Sequence, residues 1–235
     1  MLIDFHAHSA LSRCCKMDGK DILLVAKENG MDGIILTNHY DRSYLINDDK
    51  LEYANRYINE YYYVNKWAIK FKIKVYFGVE VTMAKHNNVH ILLYGIKPEF
   101  LLEYPNLYDY ELKDLYELAH KNNAILIQAH PFRNNNNVLQ DLNYLDGIEA
   151  NCHTINEGPH IELVAGIAKE NKKLLTCGGD FHNDASRAKC GVFLPDYLSD
   201  TREIVDYLKQ VKEIKLCVQT GKTQETVIEY VYLKE

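Results

Sequence analysis

The sequence predicts an α/β barrel, with parallel strands inside and helices outside. Three observations carry this. Short apolar runs of strand character alternate with amphipathic helical segments from the first residue, the pattern of successive βαβ units. Several of these runs contain or lead into histidine or carboxylate groups, as happens when barrel strands deliver side chains to one mouth. Finally, 235 residues at 47% hydrophobic can bury a large core, and α/β barrels reach this length undivided, so residues 1–235 are read as one domain.

Leu2-Ile3 opens the first strand and runs into Asp4-Phe5-His6-Ala7-His8. Asp18 precedes a helix rich in Leu23, Leu24, Val25 and Ala26, with Gly30 as its stop. Gly33 to Thr37 is the next strand. Leu51, Ala54, Ile58, Tyr61 and Ala68 keep three-and-four spacing through Asp49 to Phe71, which predicts a long helix. Its further tyrosines, Tyr53, Tyr57, Tyr62 and Tyr63, are read as packing and surface. Lys74 to Ile96 breaks the alternation, with strands at Val75–Phe77, Val81–Met83 and Val89–Tyr94 and a turn at His86-Asn87-Asn88. A helix at Tyr110–Lys121 and strands at Ala124–Gln128 and Gly147–Ala150 follow. A helix at Gly158–Glu170 leads to a strand at Leu174–Cys177. The chain ends with a strand at Val192–Leu194, a helix at Thr201–Val211 and a strand-like tail.

The net charge of −6 comes without a basic tract, which argues against non-specific binding to nucleic acid or an anionic membrane. No charged-then-apolar leader precedes the first strand, and no apolar run reaches about 18 residues, so the expectation is a cytoplasmic protein. Nothing in the sequence specifies an oligomeric state. The six cysteines, Cys14, Cys15, Cys152, Cys177, Cys190 and Cys217, include no C-x-x-C pair and are read as reduced thiols. Cys177 and Cys217 lie in apolar runs and read as small core residues.

Six of the ten histidines, His6, His8, His39, His90, His130 and His182, fall on the strand-end pattern, together with Glu80 and Asp180. Neutral imidazoles and carboxylates are ligands for zinc, manganese and iron. The period of two in His6-x-His8 puts both rings on one side of a strand, within reach of one ion. Glu80 and Asp180 supply anionic ligands able to bridge two cations, and two ions ~3.5–4 Å apart can hold a hydroxide and polarise the bond it attacks. Asp4 is expected behind the ligands, accepting the other N–H of an imidazole. The reading is a multinuclear metallohydrolase. His86, His120 and His160 are read as surface or hydrogen-bonded residues.

Taken in order, Asp4-x-His6-x-His8, Thr37-x-His39, Gly78-x-Glu80, His90, Ala129-His130-Pro131 and Gly179-Asp180-x-His182 resemble the successive motifs of the PHP (polymerase and histidinol phosphatase) superfamily, over roughly residues 2 to 195. The resemblance implies a distorted (β/α)7 TIM-like barrel, two or three divalent metals (Zn, Mn or Fe) at the C-terminal strand ends, and phosphoester hydrolysis. It assigns one metal to His6, His8, Glu80 and Asp180, a second to Glu80, His90 and His130, and a third to His39 and His182. Asn38 stands where an aspartate is common and Gly179 where a serine is common. Related trinuclear enzymes take a further ligand from the loop after H-x-H. Here that loop holds Cys14 and Cys15, and a thiolate from either would favour zinc or iron.

Arg13, Arg133 and Arg187 each lie within a few residues of a ligand motif, and guanidinium suits a phosphate. Arg133, directly after His130-Pro131-Phe132, is the first choice, and Asn151 and His153 are also placed to face the site. The expected partner is a small phosphorylated substrate, histidinol phosphate-like or nucleotide-like. Glu80 and Asp180 are expected to hold the attacking water, with the leaving group protonated by water, by a third metal's water, or by a histidine such as His182 or His153. An amidohydrolase acting on a C–N bond is the alternative, although paired Asp180-x-His182 and an intervening His90 fit the PHP pattern better. A non-catalytic metal-binding module is the other.

Overall fold

The computed structural model describes residues 1–87, 89–134, 137–153, 160–183, 189–219 and 227–233. β1 (Leu2–Ala7) is buried at every position, as expected of a strand covered on both faces. α1 (Gly19–Glu28) starts under Asp18, whose side chain accepts from the Lys20 N–H, and stops just before Gly30 at φ 77°. β2 (Gly33–Leu36) and the two-residue β3 (His39–Tyr40) follow. α2 (Lys50–Phe71) is capped by Asp49 and buries Tyr53, Ala54, Tyr57, Ile58, Val64 and Ala68, while Tyr62 and Tyr63 stay exposed.

β4 (Lys74–Met83) is a single strand where the sequence reading has two. Gly78 is no break: a Cβ there would sit 2.7 Å from Ile35 Cγ2, so glycine lets β2 and β4 pack closely. β5 (Val89–Tyr94) returns antiparallel to β4, and β6 (Ile125–Gln128) pairs antiparallel with β5. The parallel sheet expected from the alternation is therefore mixed. The short β4–β5 connection allows only a hairpin, since a parallel partner needs a crossover of about a dozen residues or more.

Two helices, α3 (Phe100–Glu103) and α4 (Leu112–Lys121), separate β5 from β6. Parallel pairing resumes with β7 (Gly147–Asn151), α5 (His160–Glu170) and β8 (Leu174–Gly178). β9 (Gly191–Phe193) lies antiparallel to β1, α6 (Thr201–Gln210) follows, and β10 (Glu213–Gln219) and β11 (Val227–Leu233) continue the sheet as an antiparallel ribbon.

The strand order is β11-β10-β9-β1-β2-β4-β5-β6-β7-β8, with β3 beside β4. Nine strands of the sheet curl into a nearly closed, distorted TIM-like barrel. The bridge Ala7–Phe181 joins the ends of β1 and β8 across the seam. Ile3, Phe5, Ile35, Tyr76, Leu92 and Tyr94 belong to one buried cluster, in which the Phe5 and Tyr94 rings meet edge-on at 5.6 Å. Tyr94 Oη donates to the Phe5 carbonyl at 2.6 Å, giving the buried phenol its partner. Because β5 is reversed, its first residues share a mouth with the last residues of β1, β6 and β8. No helix among the described residues is long and apolar enough to cross a membrane.

Candidate metal centre

Each polar side chain at this mouth is placed by a local backbone feature. His6 and His8 leave the end of β1 with their Nε2 atoms 3.1 Å apart. β3 pairs with the part of β4 that extends beyond β2, which sets His39 opposite Glu80. His90 is contributed by the beginning of reversed β5, opposite Thr82. His130 follows β6, and Asp180 and His182 follow β8. His130 (φ 30°) and Asp180 (φ 47°) have positive φ, which non-glycine residues avoid and which clusters at functional sites. Both are held there. The Asp180 N–H donates to the His6 carbonyl at 2.7 Å, and the His130 N–H to Glu149 Oε2 at 2.9 Å.

Glu80 is the hub. Its Oε1 lies 3.2 Å from His6 Nε2, 3.0 Å from His90 Nδ1 and 3.1 Å from His130 Nε2. Its Oε2 lies 3.3 Å from His8 Nε2 and 2.7 Å from His39 Nδ1. Asp180 Oδ1 sits 2.9 Å from His8 Nε2, 3.3 Å from His6 Nε2 and 3.7 Å from His182 Nδ1. His39, paired with His182 by the resemblance, is thus drawn onto Glu80 as well, and His8 joins the same group as His39 and His182.

The donor set fits divalent cations. Glu80 Oε2, Asp180 Oδ1 and His39 Nδ1 are buried without an aligned hydrogen bond, although nitrogen and oxygen crowd to within 3.3 Å. Lone pairs converging in this way ask for a cation. The ligand atoms form four overlapping trios within 4.8 Å: His6, His8 and Asp180; His6, Glu80 and His130; His39, Glu80 and His90; His8, His39 and His182. Burial alone would raise the Glu80 carboxyl, but His39, His6 and His90 hold it well below the usual carboxylate range. Asp180 is likewise held low, against burial, by Arg133 and His6. Burial would lower His39, yet Glu80 and Cys14 raise it to about 10.

The residues behind the cage orient it, and here one expectation is corrected. Asp4 does not accept an imidazole N–H. Its Oδ1 takes the backbone N–H groups of His6 and Gly179, both at 2.9 Å. The imidazole partner is Glu149, which the sequence reading passed over. Glu149 Oε1 lies 2.9 Å from His6 Nδ1, and Oε2 takes the His130 N–H and the Asn151 side-chain amide at 3.0 Å. A proton on Nδ1 facing that carboxylate leaves the His6 Nε2 lone pair for the centre. Ser12 does the same for His8: its Oγ donates to Asn38 Oδ1 at 2.9 Å and stays free to accept from His8 Nδ1 at 3.1 Å. Asn38 also accepts the Ser9 N–H and donates to Ser9 Oγ, so the amide ties down the loop after β1. At Gly179 a Cβ would meet Asp4 Oδ2 at 2.9 Å, which explains glycine there. Tyr53 and Tyr57 are more than packing, donating to the carbonyls of His39 at 2.7 Å and Asn38 at 2.6 Å.

Glu149→Gln is expected to weaken metal binding by ~10–100-fold, the usual cost of losing a partner behind a ligand. A chelator-competition titration measures it. Unchanged affinity would mean that Glu149 does not set the His6 tautomer.

The three arginines separate. The half-buried Arg133 donates to Asn151 Oδ1 at 2.7 Å and to Asp180 Oδ2, so it sits at the cage. Arg13 is exposed and lies over the Tyr44 ring at 4.6 Å, with Tyr44 edge-on to His39 at 6.3 Å, nearer the rim. Arg187 lies outside the described residues. The ring of His153 is 6.0 Å from that of His182. Burial would raise the Cys14 thiol, but the neighbouring His182 and His39 pull it down to about 6. Cys15 turns to the carbonyls of His182 and His8, and burial raises it to about 11. Away from the centre, His86 contacts Glu111 at 3.1 Å and His120 contacts Asp146 at 2.9 Å. The side chain of His160 lies outside the described set.

Several solved structures share this architecture. PsfC from Pseudomonas syringae superposes with a TM-score of 0.60 at 15% identity, covering 96% of this chain and 85% of that one. A two-domain protein from Bacteroides vulgatus, containing a domain predicted to be a PHP-like metal-dependent phosphoesterase, gives 0.59 at 16% identity over 98% and 64%. An amidohydrolase from Chromobacterium violaceum, solved with sulfate and no metal, gives 0.53 at 16% identity over 88% and 97%. At these identities the likeness is one of fold. No curated protein matches the sequence significantly. The PHP domain family matches residues 4–176, from Asp4 through His130 and Glu149, stopping just before Asp180 and His182, which the fold returns to the same cage. On that match, which takes in most of the sequence, the chain belongs to the PHP domain family.

Proposed function

We propose that this protein is a metal-dependent hydrolase that cleaves a small phosphomonoester, histidinol phosphate-like or nucleotide-like. The observation that carries the reading is Arg133 beside Asp180 at the mouth of a cage centred on Glu80. A guanidinium next to cation ligands offers directional N–H donors to a tetrahedral oxyanion, which an amide substrate does not require.

His6, His8, Glu80 and Asp180 would hold one ion, Glu80 with His90 and His130 a second, and His39 with His182 and Cys14 a third. When bound, such ions acidify water and offset charge on phosphoryl oxygens. The chain's own residues do the rest. Glu149 and Ser12 fix the tautomers of His6 and His8, and Arg133 turns an N–H toward a phosphoryl oxygen while still anchored on Asn151. Without a third ion, His182 is the proton donor to the leaving oxygen, because Cys14 and Asp180 raise its pKa against burial. His153, lowered to about 4 by burial, is neutral near pH 7 and suits substrate positioning instead.

The deciding assay gives metal-loaded protein an aryl phosphate and, separately, an aryl amide. Phosphate release is expected. Amide cleavage alone would favour the amidohydrolase reading, and metal binding with neither activity would favour a non-catalytic module. Arg133→Ala is expected to raise KM for phosphomonoesters by ~10–100-fold, the worth of a charge-assisted hydrogen bond of ~1.5–3 kcal/mol. An equal fall in kcat/KM and kcat at constant KM would instead place the contact in the transition state only.

A further inference from the structure

Behind the centre, three cysteines from separate stretches of chain meet. Cys152 follows β7, Cys177 lies in β8 and Cys190 directly precedes β9, and they are 7%, 0% and 0% exposed. All three Sγ atoms lie within 4.8 Å of one another, with Cys152 and Cys177 at 3.6 Å. A buried thiol ordinarily packs as a small apolar residue and gives its weak S–H to a carbonyl. Cys217 does this, donating to Lys189 O at 3.6 Å. Cys177 also donates to the Cys217 carbonyl at 3.4 Å, yet its sulfur faces those of Cys152 and Cys190 as well.

We propose that Cys152, Cys177 and Cys190 form a thiolate-only site for a soft d10 cation of the Cu(I) type, separate from the histidine–carboxylate centre. Three metal–sulfur bonds of ~2.3 Å spread at 120° put the sulfurs ~4 Å apart, close to the triangle present here. Thiolate donors select soft ions over manganese or magnesium. Structural zinc takes four protein ligands, and among the described residues no fourth ligating side chain joins this trio. Three donors therefore suit a three-coordinate ion.

One of the three is favoured as thiolate. Contacts with Cys177 and Cys190 hold Cys152 well below the ordinary thiol range, while Cys152 raises Cys177 and burial raises Cys190, so a bound cation has to displace those two protons. Uptake of the ion releases thiol protons to solvent and transfers no electron. Its position gives a structural consequence. The trio links the ends of β7 and β8 to the start of β9, beside the seam where Ala7 and Phe181 bridge β1 to β8. Cys190 Sγ also lies 3.3 Å from where a Gly179 Cβ would stand, next to the residues that hold Asp180. A bound ion would cross-link this seam and stabilise the folded barrel.

The test uses full-length protein with its histidine–carboxylate centre loaded with Mn(II), which competes poorly for thiols. Cu(I) is then delivered anaerobically from a competing chelator, followed by bound-copper analysis, copper X-ray absorption and thermal melting. One Cu(I) per chain with three sulfur neighbours, and a raised Tm, is expected. Cys152→Ser, Cys177→Ala and Cys190→Ala should each weaken binding by at least ~100-fold, beyond the ~10–100-fold typical of residues behind a ligand. Cys217→Ala should leave affinity unchanged. Should the cluster variants fail to fold, the wild-type spectrum decides alone. Nitrogen or oxygen neighbours, only two sulfurs, or no uptake overturns the site. Uptake of Zn(II) by the trio with a fourth ligand overturns the three-coordinate assignment.

Discussion

Glu80→Gln is expected to cut metal-dependent phosphomonoester turnover by ~10³-fold or more, equivalent to ~4 kcal/mol of lost transition-state stabilisation. Glu80 is fully buried, and its two oxygens face five imidazoles from four separate chain segments. A glutamine keeps the shape and the β4 backbone pairing, so the fold should survive. It replaces one acceptor oxygen with an N–H donor aimed at ring nitrogens or cations, and it removes the negative charge that two ions would share. Turnover with excess Mn(II), bound metal per chain and far-UV circular dichroism, measured together, test this. A folded variant that binds fewer ions and is inactive fits the bridging role. A variant retaining activity within about tenfold (~1.4 kcal/mol) would remove Glu80 from the mechanism.

The parts of this centre legible in the sequence are those encoded by short spacing. His6-x-His8 and Asp180-x-His182 announce themselves because alternate strand positions share a face, and each pair falls where an apolar run ends. The barrel was legible for a similar reason, through βα alternation. What escaped depended on tertiary pairing. Gly78 resembles a strand break until Ile35 is seen to occupy the space a side chain would need. The reversal of β5, which brings His90 to the mouth, follows from a hairpin hidden inside an otherwise alternating chain. Glu149 left a signal that was passed over: a lone carboxylate within the apolar run Gly147-Ile148-Glu149-Ala150 is costly to bury unless it has partners. Asp4 sits closer in sequence to the histidines and drew the role, but its oxygen is used by the backbone of His6 and Gly179.

Removing the metals is expected to abolish turnover, with Mn(II), Zn(II) or Fe(II) restoring it, and to lower Tm by an amount that grows as pH rises above 6.5. The sign follows from His39. Its pKa in the fold is raised from 6.5 to about 10, against burial, by Glu80 and Cys14. A raised value means that the folded metal-free protein holds this proton more tightly than the unfolded chain. The resulting stabilisation is complete below pH 6.5 and is lost as pH climbs through about 10. Over that range Glu80 stays ionised, since its carboxyl is held well below the usual range, and it loses the His39 imidazolium charge that offsets it, whereas Asp180 keeps Arg133. Buried carboxylates without a counter-charge are strongly destabilising. Metal-loaded protein behaves in the opposite sense, because imidazole ligands must be neutral and cation binding displaces their protons, so affinity tightens with pH. Melting curves in chelator and in Mn(II), taken across this range, read the difference directly. A gap in Tm that stays constant or narrows with rising pH would show that these histidines do not exchange protons for cations, and the centre would have to be reassigned.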